Sequence, residues 1–499
     1  MSARPNILLV MADQLSAPFL RTYGGDTVVS PEIDRLAAEG VVFERAYSNS
    51  PLCAPARFSM MSGRLNSAIG AYDNASEFAA GVPTFAHYLR AGGYQTTLVG
   101  KMHFVGPDQL HGYEERLTTD IYPADFGWTP NWDDPDGRFD WWFHNMDSVV
   151  GAGVADASNQ LDYDDEVGFR AVRKLRDLAR TNDPRPWHLT VSFTHPHDPY
   201  VARQEFWDLY DDVEIPLPST PELPAAATDP HSVRLRHVIA ADVTDVTDEQ
   251  VRAARRAYFA NISYVDRWLG ELRRTLERHD MGDDTVVIFT SDHGDMLGER
   301  GLWYKMSFFE HSARIPFVVH APRRFPPGRV ATPITLTDVA PTLLDLGTVP
   351  VPEQFDGVSV LPFVATPEPN RTVVGEFLGE GAVAPIFMIR RDDWKYVWSQ
   401  RDPPQLYDLA RDPAELVNLA GSPEHHDVAA EFEREVHERW DVGAIDTDVR
   451  ANQRARADVD RALRQGRYRA WDFQPSTDAS EQYMRNHLDL NDVESGRRA

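Results

Sequence analysis

Four predicted strands, each emptying into a cluster of polar or charged side chains, constrain this chain more than any other feature. Residues 6–12 end in Asp13-Gln14; residues 96–99 are followed by Gly100-Lys101-Met102-His103; residues 188–193 run into Thr194-His195-Pro196-His197-Asp198-Pro199-Tyr200; and residues 285–290 deliver Ser291-Asp292-His293-Gly294-Asp295. The first run is apolar without alternation, the pattern of a parallel strand covered on both faces. Open α/β sheets bind ligands beyond the carboxyl ends of their strands, and that is where the polar clusters fall.

Helices are predicted over residues 31–39, 55–61, 84–91, 162–180, 248–279 and 338–346, with further strands over 41–43 and 314–320. Repeated β-then-α order predicts an α/β fold with a doubly wound mixed, mostly parallel sheet flanked by helices on both faces. After Pro362 the rhythm changes: residues 373–377, 387–390 and 394–398 read as strands, the last two a hairpin around Asp392-Asp393, with 405–409 as a short edge. Three units are expected: an α/β catalytic domain over 1–363, a smaller antiparallel-sheet α+β subdomain over 364–450, and a C-terminal extension over 451–499 that reads as an extended arm.

The balance of 50 Lys+Arg against 77 Asp+Glu gives a formal charge of -27. That argues against nucleic-acid or anionic-membrane partners, since both require basic surface. It also means that an anionic substrate must be held by local cations, while a cationic group would be drawn in. No run approaches 18 apolar residues, so no membrane span is expected. With one cysteine and no leader pattern at Met1-Ser2-Ala3-Arg4-Pro5, the chain reads as cytoplasmic.

That one cysteine, Cys53, sits in Ser50-Pro51-Leu52-Cys53-Ala54-Pro55-Ala56-Arg57 near a predicted helix start. It is either a small core residue or a nucleophile. Asp13, Gln14, Asp292 and His293, joined by an oxygen at position 53, would suit a hard divalent cation, Ca²⁺ or Mg²⁺ rather than zinc. Lys101, His103, His197 and Lys305 with Arg57 make a cationic cup of the kind a doubly charged tetrahedral oxyanion requires.

Cys53-x-Pro55-x-Arg57, together with Asp13, Gly100-Lys101-Met102-His103, Pro196-His197-Asp198-Pro199-Tyr200, Ser291-Asp292-His293-Gly294-Asp295 and Leu406-Tyr407-Asp408-Leu409, resembles the sulfatases of the alkaline-phosphatase-like superfamily from about Asn6 to Leu419. More narrowly, Ala71-Tyr72-Asp73-Asn74, the segment from Gly112 to Trp128 and Asp140-Trp141-Trp142 resemble choline sulfatases. Gln14 stands where most sulfatases have a second Asp, and His293 where most have Asn, which removes one negative charge from the metal site. The resemblance implies one divalent metal ion, Ca²⁺ first with Mg²⁺ or Mn²⁺ as alternatives, bound by Asp13, Gln14, Asp292, His293 and modified Cys53. It implies that a formylglycine-generating enzyme oxidises Cys53 to formylglycine (3-oxoalanine), whose hydrate offers one hydroxyl to attack sulfur and a second to expel sulfate.

By the same carry-over Arg57 holds the formylglycine hydroxyl, Lys101 and Lys305 bind sulfate, His197 protonates the departing alkoxide, and His103 takes the proton in hemiacetal breakdown. The substrate implied is choline-O-sulfate. A quaternary ammonium donates no N–H hydrogen bond and is held by aromatic faces and carboxylates; Trp128, Trp142 and His144 are candidate walls, and Asn74, Glu376 and Glu380 candidate oxygens. The C-terminal extension of this branch suggests a homo-oligomer, dimer or tetramer, with tail exchange carrying Asp489 and Asp492 into a neighbouring site. An aryl or alkyl sulfatase, a phosphonate or phosphodiester hydrolase, and a non-catalytic choline or betaine binder with unmodified Cys53 are the alternatives.

Overall fold

Strand β1 (Asn6–Asp13) occupies the middle of the fold because it is apolar on both sides: Leu8, Val10 and Ala12 enter one core, Ile7, Leu9 and Met11 the other. The computed structural model describes residues 4–134, 137, 144–476 and 483. β1 belongs to an eight-stranded sheet with β2 (Val41–Phe43), β3 (Gln95–Gly100), β4 (Glu115–Arg116), β5 (Trp187–Pro196), β6 (Thr285–Ser291), β7 (Phe317–His320) and β8 (Gly328–Val330), in the spatial order β8-β2-β7-β6-β1-β5-β3-β4. β1 is parallel to β5 and β6, with Ala12 opposite Phe193 on one side and Ser291 on the other, and β3 is parallel to β5. β7 runs antiparallel to β6 and β2. The ends of β1, β3, β5 and β6 thus share one edge of the sheet.

The helices that position the site are α1 (Pro31–Glu39), α2 (Cys53–Ser62), α3 (Phe85–Ala91), α4 (Asn159–Arg180), α5 (Asp248–Arg278) and α6 (Val339–Leu346). α4 and α5 cover one sheet face; α2, α3 and α6 cover the other. A separate antiparallel sheet, β9 (Val373–Phe377), β10 (Ile386–Arg391), β11 (Trp394–Ser399) and β12 (Gln405–Asp408), follows in simple meander order. Its Phe387, Ile389 and Tyr396 pack against Phe432 and Val436 of α7 (His426–Arg439).

Three expectations need correction. α2 opens at Cys53, two residues earlier than predicted, because Pro55 falls in the first turn, where its missing N–H has no intrahelical acceptor to leave empty. The single strand over 314–320 breaks at Pro316: Arg314–Ile315 pairs with Ala46–Tyr47 in a small third sheet, and only Phe317–His320 joins the main one. The arm from residue 451 is helical at its start, since α8 (Val442–Leu463) runs into it. Among the described residues no helix is long and apolar enough to cross a membrane.

Candidate active site

Asp13, at the end of β1, Cys53, at the first turn of α2, and Asp292 and His293, just past β6, are all buried and bring their ligand atoms within 4.8 Å of one another. Cys53 Sγ lies 3.3 Å from His293 Nε2 and 3.8 Å from Asp13 Oδ1. His293 Nδ1 lies 3.0 Å from the carbonyl of Gly294, an acceptor only. Nδ1 therefore carries the proton, and the Nε2 lone pair faces the carboxylates, the orientation of a metal-ligating imidazole. Burial pushes His293 down to about 4, so the ring is neutral at ordinary pH. Two carboxylates and one oriented imidazole fit a hard divalent cation.

The carboxylates are held by cations. Arg57 Nε donates to Asp292 Oδ2 at 2.8 Å and its Nη2 lies 3.3 Å from Asp13 Oδ2, while Nη1 donates to the Lys101 carbonyl at 2.6 Å and to Ser192 Oγ at 2.8 Å. Lys101 Nζ pairs with Asp13 and lies 4.3 Å from the Tyr122 ring centroid. Burial alone would raise Asp292, but Arg57, His293, Lys101 and the Gln14 N–H together hold it well below the usual carboxylate range. Burial, reinforced by Asp13, pushes the Cys53 thiol up to about 11. An unmodified thiol here is a poor nucleophile at neutral pH, despite its place at a helix N-terminus.

Gln14 has a left-handed backbone, φ +65°, which turns its N–H onto Asp292 Oδ1 at 3.0 Å. Its side-chain amide donates to Asp295 Oδ2 at 2.7 Å, leaving Oε1 to accept from Lys305 Nζ at 2.5 Å. The Lys305 ammonium also donates to His144 Nε2 at 2.9 Å and His197 Nε2 at 3.0 Å, so its three N–H groups meet three acceptors. Both imidazoles turn their Nδ1 atoms to Asp198: His197 to its carbonyl at 2.6 Å, His144 to Oδ1 at 2.9 Å. His103 stands beside Tyr122 and Trp128, ring centroids 5.1 and 5.8 Å away, and neither of its nitrogens has a hydrogen-bond partner among the described residues. Burial and Lys101 push it down to about 3.

Among the candidates for the substrate's far end, Asn74 is buried, and its Oδ1 accepts from the N–H of Ala54 at 3.0 Å, capping α2 beside Cys53. Glu380 is 3% exposed with Oε2 unpartnered among the described residues; burial, then Asp73, raise it to about 8, with Cys53 adding to the rise. Glu376 is engaged elsewhere, accepting from Ser67 N at 2.8 Å, Ser67 Oγ at 2.7 Å and Trp440 Nε1 at 2.7 Å. Trp142, Asp489 and Asp492 lie outside the described residues. Two members of the site were not singled out from sequence, Tyr122 and Asp198. Asp198 was visible as the neighbour of His197 in a strand-end motif; Tyr122 lies in a loop without periodicity, where only proximity in the fold identifies it.

The residues therefore make a buried donor cluster for a cation beside a cup of Arg57, Lys101 and Lys305, with two imidazoles in reach. A family model described as Sulfatase matches residues 5–349. The chain belongs to the sulfatase family. A second model, for the C-terminal part of N-sulphoglucosamine sulphohydrolase, matches residues 298–441, and a third, choline sulfatase enzyme C terminal, matches 447–498. The sulfatase is 51% identical over 506 residues to a choline-sulfatase of Rhizobium meliloti (strain 1021), covering 100% of this chain and 99% of the relative. It is 27% identical over 447 residues to an arylsulfatase of Clostridium perfringens (strain 13 / Type A), covering 85% and 91%. The crystal structure of a phosphonate monoester hydrolase of Agrobacterium radiobacter superposes with a TM-score of 0.70 at 25% identity, covering 90% of this chain and 96% of that one. The sulfatase is accordingly a sulfuric ester hydrolase, in a family that implies a metal ion and a formylglycine.

Proposed function

We propose that this sulfatase hydrolyses choline-O-sulfate to choline and sulfate. The observation that carries the reading is Glu380, a buried acidic side chain whose Oε2 has no partner among the described residues, two residues after Leu378 and next to Gly379, which the Trp132 indole holds. Such a group suits a cation that offers no N–H of its own. The near-full-length likeness to a choline-sulfatase supports it.

Asp13, Gln14, Asp292, His293 and position 53 would hold the metal, with Ca²⁺ preferred over Mg²⁺ and Mn²⁺. Formylglycine at position 53, installed by a formylglycine-generating enzyme, supplies the oxygen nucleophile, and the cation supplies positive charge that lowers that oxygen's proton affinity. Arg57 orients the position-53 oxygen, and Lys101 and Lys305 take sulfate oxygens. His197, with Nδ1–H fixed on the Asp198 carbonyl and Nε2 accepting from Lys305 at rest, must take a second proton at Nε2 before it can deliver one to the departing choline oxygen. That step weighs heavily for choline, a poor leaving group. His103 accepts the proton released as sulfate leaves. Trp128 and His144 wall the ammonium end, with Asn74 and Glu380 supplying oxygen. A cytoplasmic location, assembly into a homo-oligomer and exchange of the tail bearing Asp489 and Asp492 belong to the same proposal.

Protein whose mass shows formylglycine at position 53 should hydrolyse choline-O-sulfate at least about a thousandfold faster than Cys53→Ala. No turnover above that variant would overturn the reading. A higher kcat/KM for an aryl sulfate or a phosphodiester than for choline-O-sulfate would move the enzyme to another substrate class.

A further inference from the structure

The inward face of α8 carries two polar side chains, Gln453 and Arg456, beside Val442 and Val449, where an amphipathic helix normally turns only apolar side chains to the core. Val449, Gln453 and Arg456, at i, i+4 and i+7, are all buried. Gln453 Oε1 accepts from the N–H of Trp132 at 3.0 Å, and the Trp132 indole donates to the carbonyl of Gly379 at 3.0 Å, one residue before Glu380. Arg456 closes a fork on Asp73, with Nη1 to Oδ1 at 2.7 Å and Nη2 to Oδ2 at 2.5 Å; Nη1 also donates to Thr129 Oγ1 at 3.2 Å. Asp73 precedes Asn74, and Thr129 follows Trp128. Two side chains on one helix face thus tie together the three segments that carry Asn74, Trp128 and Glu380.

We infer that Arg456 is a specificity-determining positioning residue, which through its fork on Asp73 sets the groups that meet the cationic end of the substrate. This rests on the choline reading. A buried ion pair adds little stability beyond what well-packed apolar side chains would give, so stability alone gives little reason to place one here. A planar bidentate fork does fix the direction of its partner, which a hydrophobic contact does not. It also gives Asp73 a counter-charge, while Glu380 keeps one oxygen, Oε2, without a partner among the described residues. Gln453 and Arg456 lie in the stretch matched by the choline sulfatase C-terminal model, and they act within one chain.

The test compares kcat/KM for choline-O-sulfate with that for 3,3-dimethylbutyl sulfate, the isostere with carbon in place of the ammonium nitrogen, in formylglycine-bearing protein. Arg456→Lys keeps the charge and loses the fork; Asp73→Asn combined with Arg456→Gln removes both charges together, so no buried charge is left unpaired. The choline preference should fall about tenfold in the double variant, through KM for choline-O-sulfate, with a smaller fall in Arg456→Lys and isostere turnover kept within about threefold of the parent. An unchanged preference, or equal losses on both substrates, would overturn the inference. A parent enzyme that turns over the two sulfates equally would overturn the choline reading beneath it.

Discussion

Glu380 shows how one buried group can couple substrate charge to pH. Burial and Asp73 raise its carboxyl to about 8, so in the free enzyme at pH 7 it holds a proton. A quaternary ammonium alongside stabilises the ionised form and displaces that proton. Binding then strengthens as pH rises: KM for choline-O-sulfate should fall by up to about tenfold per unit between pH 6.5 and 8 and level off above. The 3,3-dimethylbutyl isostere should lack that component, and Glu380→Gln should abolish it while raising KM for choline-O-sulfate. Parallel pH profiles of KM for the two substrates in the parent enzyme would overturn this role. The sequence brought Glu380 forward alongside Glu376, two carboxylates four residues apart, Glu376 within the predicted strand over 373–377 and Glu380 beyond its end. Only the fold separates them, because Ser67 and Trp440, distant in sequence, occupy Glu376.

Helix α1 shows a cap supplied from another element. Ser30 at its N-cap makes no side-chain hydrogen bond, and Asp266 of α5 accepts instead from the N–H groups of Ile33 at 2.7 Å and Glu32 at 3.2 Å. Burial raises Asp266 to about 7, far above an unfolded aspartate near 3.9. The folded protein therefore retains a proton that the unfolded chain releases between those values. The stabilisation is complete below about pH 4 and is lost as pH rises to about 7. Urea midpoints should decline across that window, and Asp266→Asn should flatten the decline; an identical slope in the variant would refute the assignment. Local signals of this kind explain which elements were legible. The strands and long helices follow from apolar runs and caps within one segment. The split at Pro316 depends on which neighbour each half pairs with, and α8 was missed because its buried face carries Gln453 and Arg456, which read in sequence as a solvated surface.

At the scale of the whole molecule, the candidate metal centre joins three stretches that lie far apart in the chain: the end of β1, the start of α2 and the turn after β6. Their convergence was legible because each follows a strand or opens a helix at the sheet's carboxyl edge, which the doubly wound order already places on one side. The cationic frame was legible only in part: Arg57 came with the cysteine motif, whereas its bonds to the Lys101 carbonyl and Ser192 come from β3 and β5 pairing side by side. A cation bound across those stretches links segments that separate on unfolding, so it must stabilise the native state by mass action. At a hundredfold excess over its Kd, Ca²⁺ should add about 2.7 kcal/mol and raise the melting temperature by roughly several degrees. Chelation should reverse the shift, and Mg²⁺ and Mn²⁺ should reproduce it at higher concentration. Asp292→Asn lowers the baseline by leaving Arg57 without its 2.8 Å partner, so the quantity to read is the metal-induced increment, which should vanish in that variant and in His293→Ala. An increment that survives both substitutions would place the stabilising cation elsewhere, and no increment with any of the three metals in the parent protein would remove the metal from this site.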